Sequence, residues 1–129
     1  MEYKVGAYVR LSREDENKST NFSESINNQK EYILKYILDN NLNLVNIYID
    51  DGFSGTNFNR PGFQRMIQDI QGGKVNLVIT KDLSRLGRNY IETGYYTEHY
   101  FKDVGVRYIA INDGIDTIND NNDIVLFKK

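Results

Sequence analysis

Short apolar runs and stretches with helical periodicity alternate along the chain, and this alternation constrains the fold more than any other feature. Strands are predicted at four apolar runs, at about residues 3–9, 44–49, 75–80 and 106–111. Between them, apolar residues recur at helical spacing and predict helices at about residues 25–40, 61–71 and 90–104. Such alternation favours an α/β fold with a mostly parallel central sheet of about four or five strands, flanked by helices in three layers.

Size and charge limit the possible functions. With 129 residues, the chain is expected to form one domain over residues 1–129 with a sizeable core. The absence of cysteine excludes a disulfide framework and a thiolate metal site. No signal peptide or membrane-spanning run is evident, so a cytoplasmic protein without a membrane partner is expected. A net charge of -2 argues against strong DNA binding by this domain alone, because such affinity comes from lysine and arginine against phosphates.

Polar residues follow each of the first three predicted strands. If the strands are parallel, their carboxyl ends share one edge of the sheet, where open α/β folds bind ligands. These residues would then gather in one cleft: Arg10, Ser12, Asp51, Ser54, Arg60, Arg85 and Arg88.

The arginines of this cleft suggest phosphate chemistry. Arg85 and Arg88 lie three residues apart at the start of a helical segment, which places both on one face. Guanidinium groups offer planar, bidentate donors that suit a phosphate. Ser12 would be a hydroxyl surrounded by arginines, with no histidine nearby in sequence. The alternatives are ordinary ones: surface salt bridges for the arginines and a helix or turn cap for Ser12.

Four motifs, in this order and spacing, resemble the catalytic domain of the serine recombinases, the resolvase/invertase group. They are Tyr8-Val9-Arg10-Leu11-Ser12, Ser25-Ile26-Asn27-Asn28-Gln29, Asp51-Gly52-Phe53-Ser54-Gly55 through Arg60-Pro61-Gly62, and Ser84-Arg85-Leu86-Gly87-Arg88-Asn89. The segment 112–117 resembles the end of the same domain, and the tail 119–124 is similar to the large serine recombinases of mobile elements. The resemblance covers nearly the whole chain.

The resemblance implies the chemistry of the site. Ser12 would attack a DNA phosphodiester and form a covalent 5′-phosphoserine intermediate, and the strands would be exchanged and rejoined without metal, ATP or another cofactor. The residues implied to bind the phosphate and the DNA are Arg10, Arg60, Arg85 and Arg88. Among these, Arg60 has the weaker claim, because its long loop could leave it outside the cleft.

Four further residues are expected to support the site. Asp51 would orient an arginine, Gln29 would reach the cleft from the first helix, and Ser54 would bind a phosphate oxygen or shape its turn. The family often has an acid directly before the first arginine of the Arg-x-x-Arg pair, where this chain has Ser84. That departure leaves the role of the acid open, and Asp82 is a possible substitute.

Other chemistries compete with this interpretation. A two-metal nuclease could use aspartates to bind Mg²⁺, although arginines crowding the same site argue against it; the candidates are Asp50, Asp51, Asp82, Asp113 and Asp116. Asp113 and Asp116 are better explained as ordering a turn. Metal-dependent chemistry that needs paired histidines is not supported, because His99 is the only histidine in the sequence. From another functional class, a noncatalytic oligomerisation or interaction module of the same fold would retain the third helix for self-association.

The family resemblance also sets expectations for assembly on double-stranded DNA. Relatives form homodimers that synapse into homotetramers, using a long helix and DNA-binding domains that would follow residue 129. We therefore expect an excised catalytic fragment that binds DNA weakly. Its site is expected to be incompletely assembled, because the loops at residues 13–23 and 52–59 lack apolar anchors. Self-contact is expected through aromatics of the third helix: Tyr90, Tyr95, Tyr96, Tyr100 and Phe101.

Overall fold

The central sheet contains the four predicted strands and one further strand. A computed structural model describes residues 2–12 and 25–119, and these form a five-stranded sheet in the order β2-β1-β3-β4-β5. The strands are β1 (Lys4–Leu11), β2 (Asn43–Asp51), β3 (Leu77–Thr80), β4 (Arg107–Ala110) and β5 (Ile115–Asp116). All neighbours are parallel except β5, which runs antiparallel to β4. The predicted α/β fold is confirmed, while the loop expected at residues 13–23 lies outside the described residues.

Local sequence signals explain where the helices begin. Helix α1 (Ile26–Asp39) starts after Ser25, whose side chain accepts a hydrogen bond from the Asn28 amide. Helix α2 (Pro61–Gln71) has proline in its first turn, where a missing amide hydrogen costs nothing. A four-residue helix, α3 (Leu83–Leu86), follows β3.

The last long helix, α4, spans residues 90–103 and is not regular throughout. It begins with α-helix at Tyr90–Tyr95, widens into a π-helical segment at Tyr96–Tyr100 and ends as α-helix at Phe101–Asp103. The Asn89 side chain caps it by accepting hydrogen bonds from the Ile91 and Glu92 amides. The predicted helix is therefore confirmed, and its widened segment was not anticipated.

Strand β1 lies between β2 and β3 in the sheet and is buried on both faces. Its residues Val5, Ala7 and Val9 pack with α1 on one side. Tyr8 faces the other side, in a second core cluster that includes Phe63 of α2 and residues of α4. Because both faces of the strand are covered, its carboxyl end is where a fold of this kind would bind a ligand.

The aromatic residues of α4 are more buried than expected. Phe101 is fully buried in the core, and Tyr96 and Tyr100 are half-buried against it. Only Tyr90 and Tyr95 of the five aromatics keep half or more of their surface exposed. The predicted five-residue association surface was therefore wrong for Phe101, because its ring packs in the core, 5.9 Å from that of Tyr108 between centroids.

Within the part of the chain that the structure describes, no helix combines the length and apolar character needed to cross a membrane.

Candidate active site

The carboxyl ends of β1 and β2 lie side by side, as the parallel sheet requires. In their register, Arg10 is the partner of Asp50 and Leu11 is the partner of Asp51. The Gly52 amide then donates to the Leu11 carbonyl at 2.6 Å, so the chain after β2 stays against the end of β1. Ser12 follows β1 directly and is buried. The predicted neighbourhood at this sheet edge is thus present.

Arg10 joins three chain segments through its guanidinium group. Its Nε donates to the Arg85 carbonyl at 3.1 Å, Nη1 to the Phe53 carbonyl at 3.0 Å, and Nη2 to the Ser84 carbonyl at 2.5 Å. The side chain is 0% exposed. Each of its three nitrogens thus donates to a backbone carbonyl, which fixes the side chain in one orientation.

Positive charge is concentrated around Arg10. Burial first, and then the positive charges of Arg60, Arg85 and Arg88, together lower the pKa of Arg10 to about 10. The like charges of these neighbouring arginines repel one another. An anion at this place would relieve that repulsion, and phosphate is the anion that guanidinium groups bind best.

Gln29 and Arg85 hold the backbone next to the serine. The Gln29 side-chain amide donates to the Arg10 carbonyl at 3.0 Å, and its oxygen accepts from the Arg10 amide at 3.3 Å. Arg85 Nη1 donates to the same carbonyl at 3.1 Å. Gln29 is fully buried, so it does reach the sheet edge and contacts the backbone two residues before Ser12.

Arg60 lies inside the protein, contrary to the expectation that its loop could leave it outside. It is 1% exposed, and it donates to the Asn57 carbonyl at 2.8 Å, the Tyr8 hydroxyl at 2.7 Å and the Leu86 carbonyl at 2.7 Å. Its guanidinium carbon lies 4.4 Å from the centroid of the Phe58 ring. Arg60 therefore belongs to the same charged cluster as Arg10.

Phe58 is the reason that this loop is held in place. Its ring is buried and packs against Phe63 at 4.9 Å and Tyr96 at 4.7 Å between centroids. The expectation that residues 52–59 lack an apolar anchor was wrong, because an aromatic residue next to polar neighbours can still enter a core formed by distant segments.

Asp50, rather than the predicted Asp51, is the aspartate that is linked to an arginine, and the link runs through the Tyr8 hydroxyl. Asp51 is exposed, whereas Asp50 is 1% exposed. The Asp50 carboxylate accepts from the Gly62 amide at 2.7 Å, the Phe63 amide at 2.9 Å and the Tyr8 hydroxyl at 2.7 Å. Asp50 therefore caps α2 and reaches Arg60 through Tyr8. Along β2, Asp50 lies on the buried side with Tyr48, and Asp51 lies on the opposite, exposed side.

The remaining predicted residues line the same region. Ser54 Oγ accepts from the Thr56 amide at 3.0 Å, so it shapes its turn. Asp82 Oδ1 accepts from the Ser84 hydroxyl at 2.6 Å and lies 3.9 Å from Arg85 Nε. Arg88 is exposed.

Gly55 separates Arg10 from Arg88. A Cβ atom built there would lie 2.6 Å from Arg10 Nη2 and 2.9 Å from Arg88 Cγ, so only glycine fits. The Arg88 amide donates to the Gly55 carbonyl at 2.6 Å, which ties the Arg-x-x-Arg segment to this loop.

The aspartates considered as metal ligands are dispersed among other contacts. Asp113 accepts from the Leu83 amide at 2.6 Å, and Asp116 pairs with Arg107 at 2.7 Å, so both order the turn region as expected. Among residues 2–12 and 25–119, no three His, Asp or Glu side chains are grouped in a way that could hold a metal ion.

Comparison with known proteins agrees with this geometry. The family model for the resolvase N-terminal domain matches residues 5–128. The N-terminal catalytic domain of TP901-1 integrase is 33% identical, with a TM-score of 0.79 over 90% of this chain and 82% of that chain. A resolvase family site-specific recombinase from Streptococcus pneumoniae is 31% identical, with a TM-score of 0.74 over 93% of this chain and 79% of that chain.

A phage protein is also similar. Uncharacterized immunity region protein 3 of Bacillus phage phi105 is 35% identical over 69 residues, which cover 54% of this chain and 80% of the phage protein.

Proposed function

This chain belongs to the resolvase family, and we propose that it is the catalytic domain of a serine recombinase that cleaves and rejoins DNA at specific sites. The proposal is supported by similarity to TP901-1 integrase and to the Streptococcus pneumoniae recombinase over most of each chain. The observation that carries it is the position of Ser12, directly after a strand whose last arginine lies in a cluster of four.

The proposed reaction is phosphoryl transfer to Ser12. The serine hydroxyl gives up its proton as its oxygen attacks the phosphorus and forms a serine–phosphate ester. The bond from the phosphorus to the 3′ oxygen breaks, and that oxygen takes up one proton, so protons and bonds balance. Because one phosphate ester replaces another, the bond energy is retained and the strand can be rejoined without ATP. Arg10, Arg60, Arg85 and Arg88 would stabilise the charge that builds on the phosphate oxygens.

We further propose that the site requires a rearrangement before it acts on DNA. Arg10 and Arg60 are buried, and their guanidinium nitrogens donate to protein acceptors. A phosphate can bind Arg10 directly only if the segment that supplies the Phe53 carbonyl moves away from it. Binding of duplex DNA, within a homodimer or a synaptic homotetramer, would provide the energy for that movement.

The deciding experiment is a trap for the covalent intermediate. Full-length protein is mixed with a nicked duplex that carries its recombination site, in EDTA, and adducts are separated on a denaturing gel. We expect a protein–DNA adduct whose phosphate maps to Ser12 by mass spectrometry, and no adduct with Ser12→Ala. An adduct that persists in Ser12→Ala would contradict the proposal. Duplex binding and self-association without any adduct would favour the noncatalytic module instead.

A further inference from the structure

A chain of hydrogen bonds connects the start of α2 to Arg60. The Asp50 carboxylate accepts from the amides of Gly62 and Phe63, in the first turn of α2, and from the Tyr8 hydroxyl. A carboxylate at a helix start is favoured by the unpaired amides and by the helix dipole. Asp50 is therefore fixed in place by both the helix and the strand.

The Tyr8 hydroxyl has a defined orientation in this chain. A phenol has one proton to donate, and Asp50 is an acceptor only. The proton therefore points to Asp50, and an oxygen lone pair is left to accept from Arg60 Nη1 at 2.7 Å. Burial raises the pKa of Tyr8 above its ordinary value, so the hydroxyl keeps this proton at neutral pH.

The other contacts of Arg60 leave it little freedom. Its Nη2 donates to the Leu86 carbonyl, within the Arg-x-x-Arg segment, and its guanidinium group lies over the Phe58 ring. Arg60 also immediately precedes α2, whose first turn Asp50 caps. Asp50 therefore holds Arg60 in two ways, through the backbone of α2 and through the Tyr8 hydroxyl.

We infer that Asp50 and Tyr8 are positioning residues for the proposed cleavage reaction, acting through Arg60 rather than on the DNA. This inference rests on the proposed function. Asp50 and Tyr8 set the location of the Arg60 guanidinium group relative to Arg10 and the Arg-x-x-Arg segment. Their own side chains are buried, at 0% exposure for Tyr8 and 1% for Asp50.

A matched pair of substitutions tests this inference. Tyr8→Phe removes the hydroxyl that links Asp50 to Arg60. Tyr48→Phe is the control, because Tyr48 is the register partner of Tyr8 and is equally buried. The Tyr48 hydroxyl donates to Asp69 at 2.6 Å. Each substitution thus deletes one hydroxyl that donates to a carboxylate, and only the first deletes a contact with an arginine.

The first readout does not depend on activity. In protein labelled with ¹⁵N-arginine, the exchange rate of the Arg60 Nε hydrogen with water reports how firmly the side chain is held. We expect faster exchange in Tyr8→Phe, and an unchanged rate in Tyr48→Phe. Equal rates in wild-type protein and Tyr8→Phe would overturn the inference, whatever the protein does to DNA.

The second readout is the rate of adduct formation at saturating DNA. Tyr8→Phe should slow it between about 10-fold and about 100-fold, the range expected when a catalytic group is misplaced by up to about 1 Å. Tyr48→Phe should stay within about 2-fold of wild type. In an Arg60→Ala background, Tyr8→Phe should have little further effect, because a residue that acts through Arg60 has nothing left to position.

These outcomes separate the inference from the function on which it rests. A full effect of Tyr8→Phe in the Arg60→Ala background, or equal slowing by Tyr48→Phe, would overturn the positioning role while leaving Ser12 catalysis intact. If the wild-type protein forms no adduct, the proposed function fails. In that case the exchange measurement still decides whether Tyr8 holds Arg60.

Discussion

Adding a single methyl group at Gly62 should disturb the start of α2. A Cβ atom there would lie 2.8 Å from the Ile49 carbonyl oxygen and 2.9 Å from both carboxylate oxygens of Asp50. None of these atoms is the end of a flexible side chain, because one is backbone and the carboxylate is held by three hydrogen bonds. Gly62→Ala must therefore push the start of α2 away from Asp50.

The cost can be worked out from the contacts that would be lost. Two amide hydrogen bonds to the Asp50 carboxylate, at 2.7 and 2.9 Å, would break. Hydrogen bonds to a charged group contribute about 1.5–3 kcal/mol each, so the loss is about 3–6 kcal/mol. Alanine recovers about 1 kcal/mol of helix propensity. The free energy of unfolding should thus fall by about 2–5 kcal/mol, and the melting temperature by roughly 6–15 °C.

Urea unfolding followed by circular dichroism measures this change, and α2 supplies its own control. At Gly72, directly after the helix, a Cβ atom would be 3.5 Å from its nearest neighbour, and the backbone φ of -82° suits any residue. Gly72→Ala should leave stability unchanged or raise it by up to about 1 kcal/mol. The reasoning is refuted if Gly62→Ala unfolds within about 0.5 kcal/mol of wild type, or if both variants lose the same amount.

Two further predictions concern burial and charge. Phe101→Ala should lower the free energy of unfolding by about 3–5 kcal/mol, because the ring is buried. Tyr95→Ala should lower it by less than about 1 kcal/mol, because that side chain is 50% exposed. Similar urea midpoints for the two variants would contradict the buried position of Phe101. Burial raises the pKa of Asp116, but hydrogen bonds from Arg107 and the charge of Arg107 outweigh it, so the pKa lies below its ordinary 3.8. The Asp116 carboxylate therefore stabilises the fold above pH 3.8, and this contribution is lost as pH falls through the folded-state pKa. On acidification, the Asp116→Asn variant should lose less stability than the wild-type protein. If the urea midpoints of the two proteins depend on pH in the same way, this role of Asp116 is contradicted.

Local signals made most of the fold predictable. Helix α2 was predicted at residues 61–71 and occupies Pro61–Gln71, because proline marks its start and glycines follow its end. The strands were found from apolar runs, although β5, with two residues, is too short to carry such a signal. The π-helical segment of α4, Tyr96–Tyr100, was not predicted from the apolar spacing, which indicated only a helix.

The contacts of the arginines depended on tertiary structure and were less predictable. The sequence placed Arg10 and Arg85 at one sheet edge, as strand polarity requires, and gave Arg60 a weaker claim to the same place. It could not show that Arg10 and Arg60 donate to backbone carbonyls, because those carbonyls belong to segments far away in sequence. The burial of Phe58, which fixes Arg60, likewise depends on residues of α2 and α4 that meet only in the folded chain.

The choice between Asp50 and Asp51 shows how one irregularity in a strand can change a site. At the start of the sheet Val5 pairs with Leu44, and if that spacing continued, Asp51 would share the face of Arg10. The register shifts between Val5 and Gly6, so that Arg10 pairs with Asp50 instead. Because side chains alternate between faces, this one-residue shift turns Asp50 toward Tyr8 and α2 and turns Asp51 away from them. The register shift, about five residues before the end of β2, therefore determines which aspartate is buried. The motifs at the site itself do not indicate this shift.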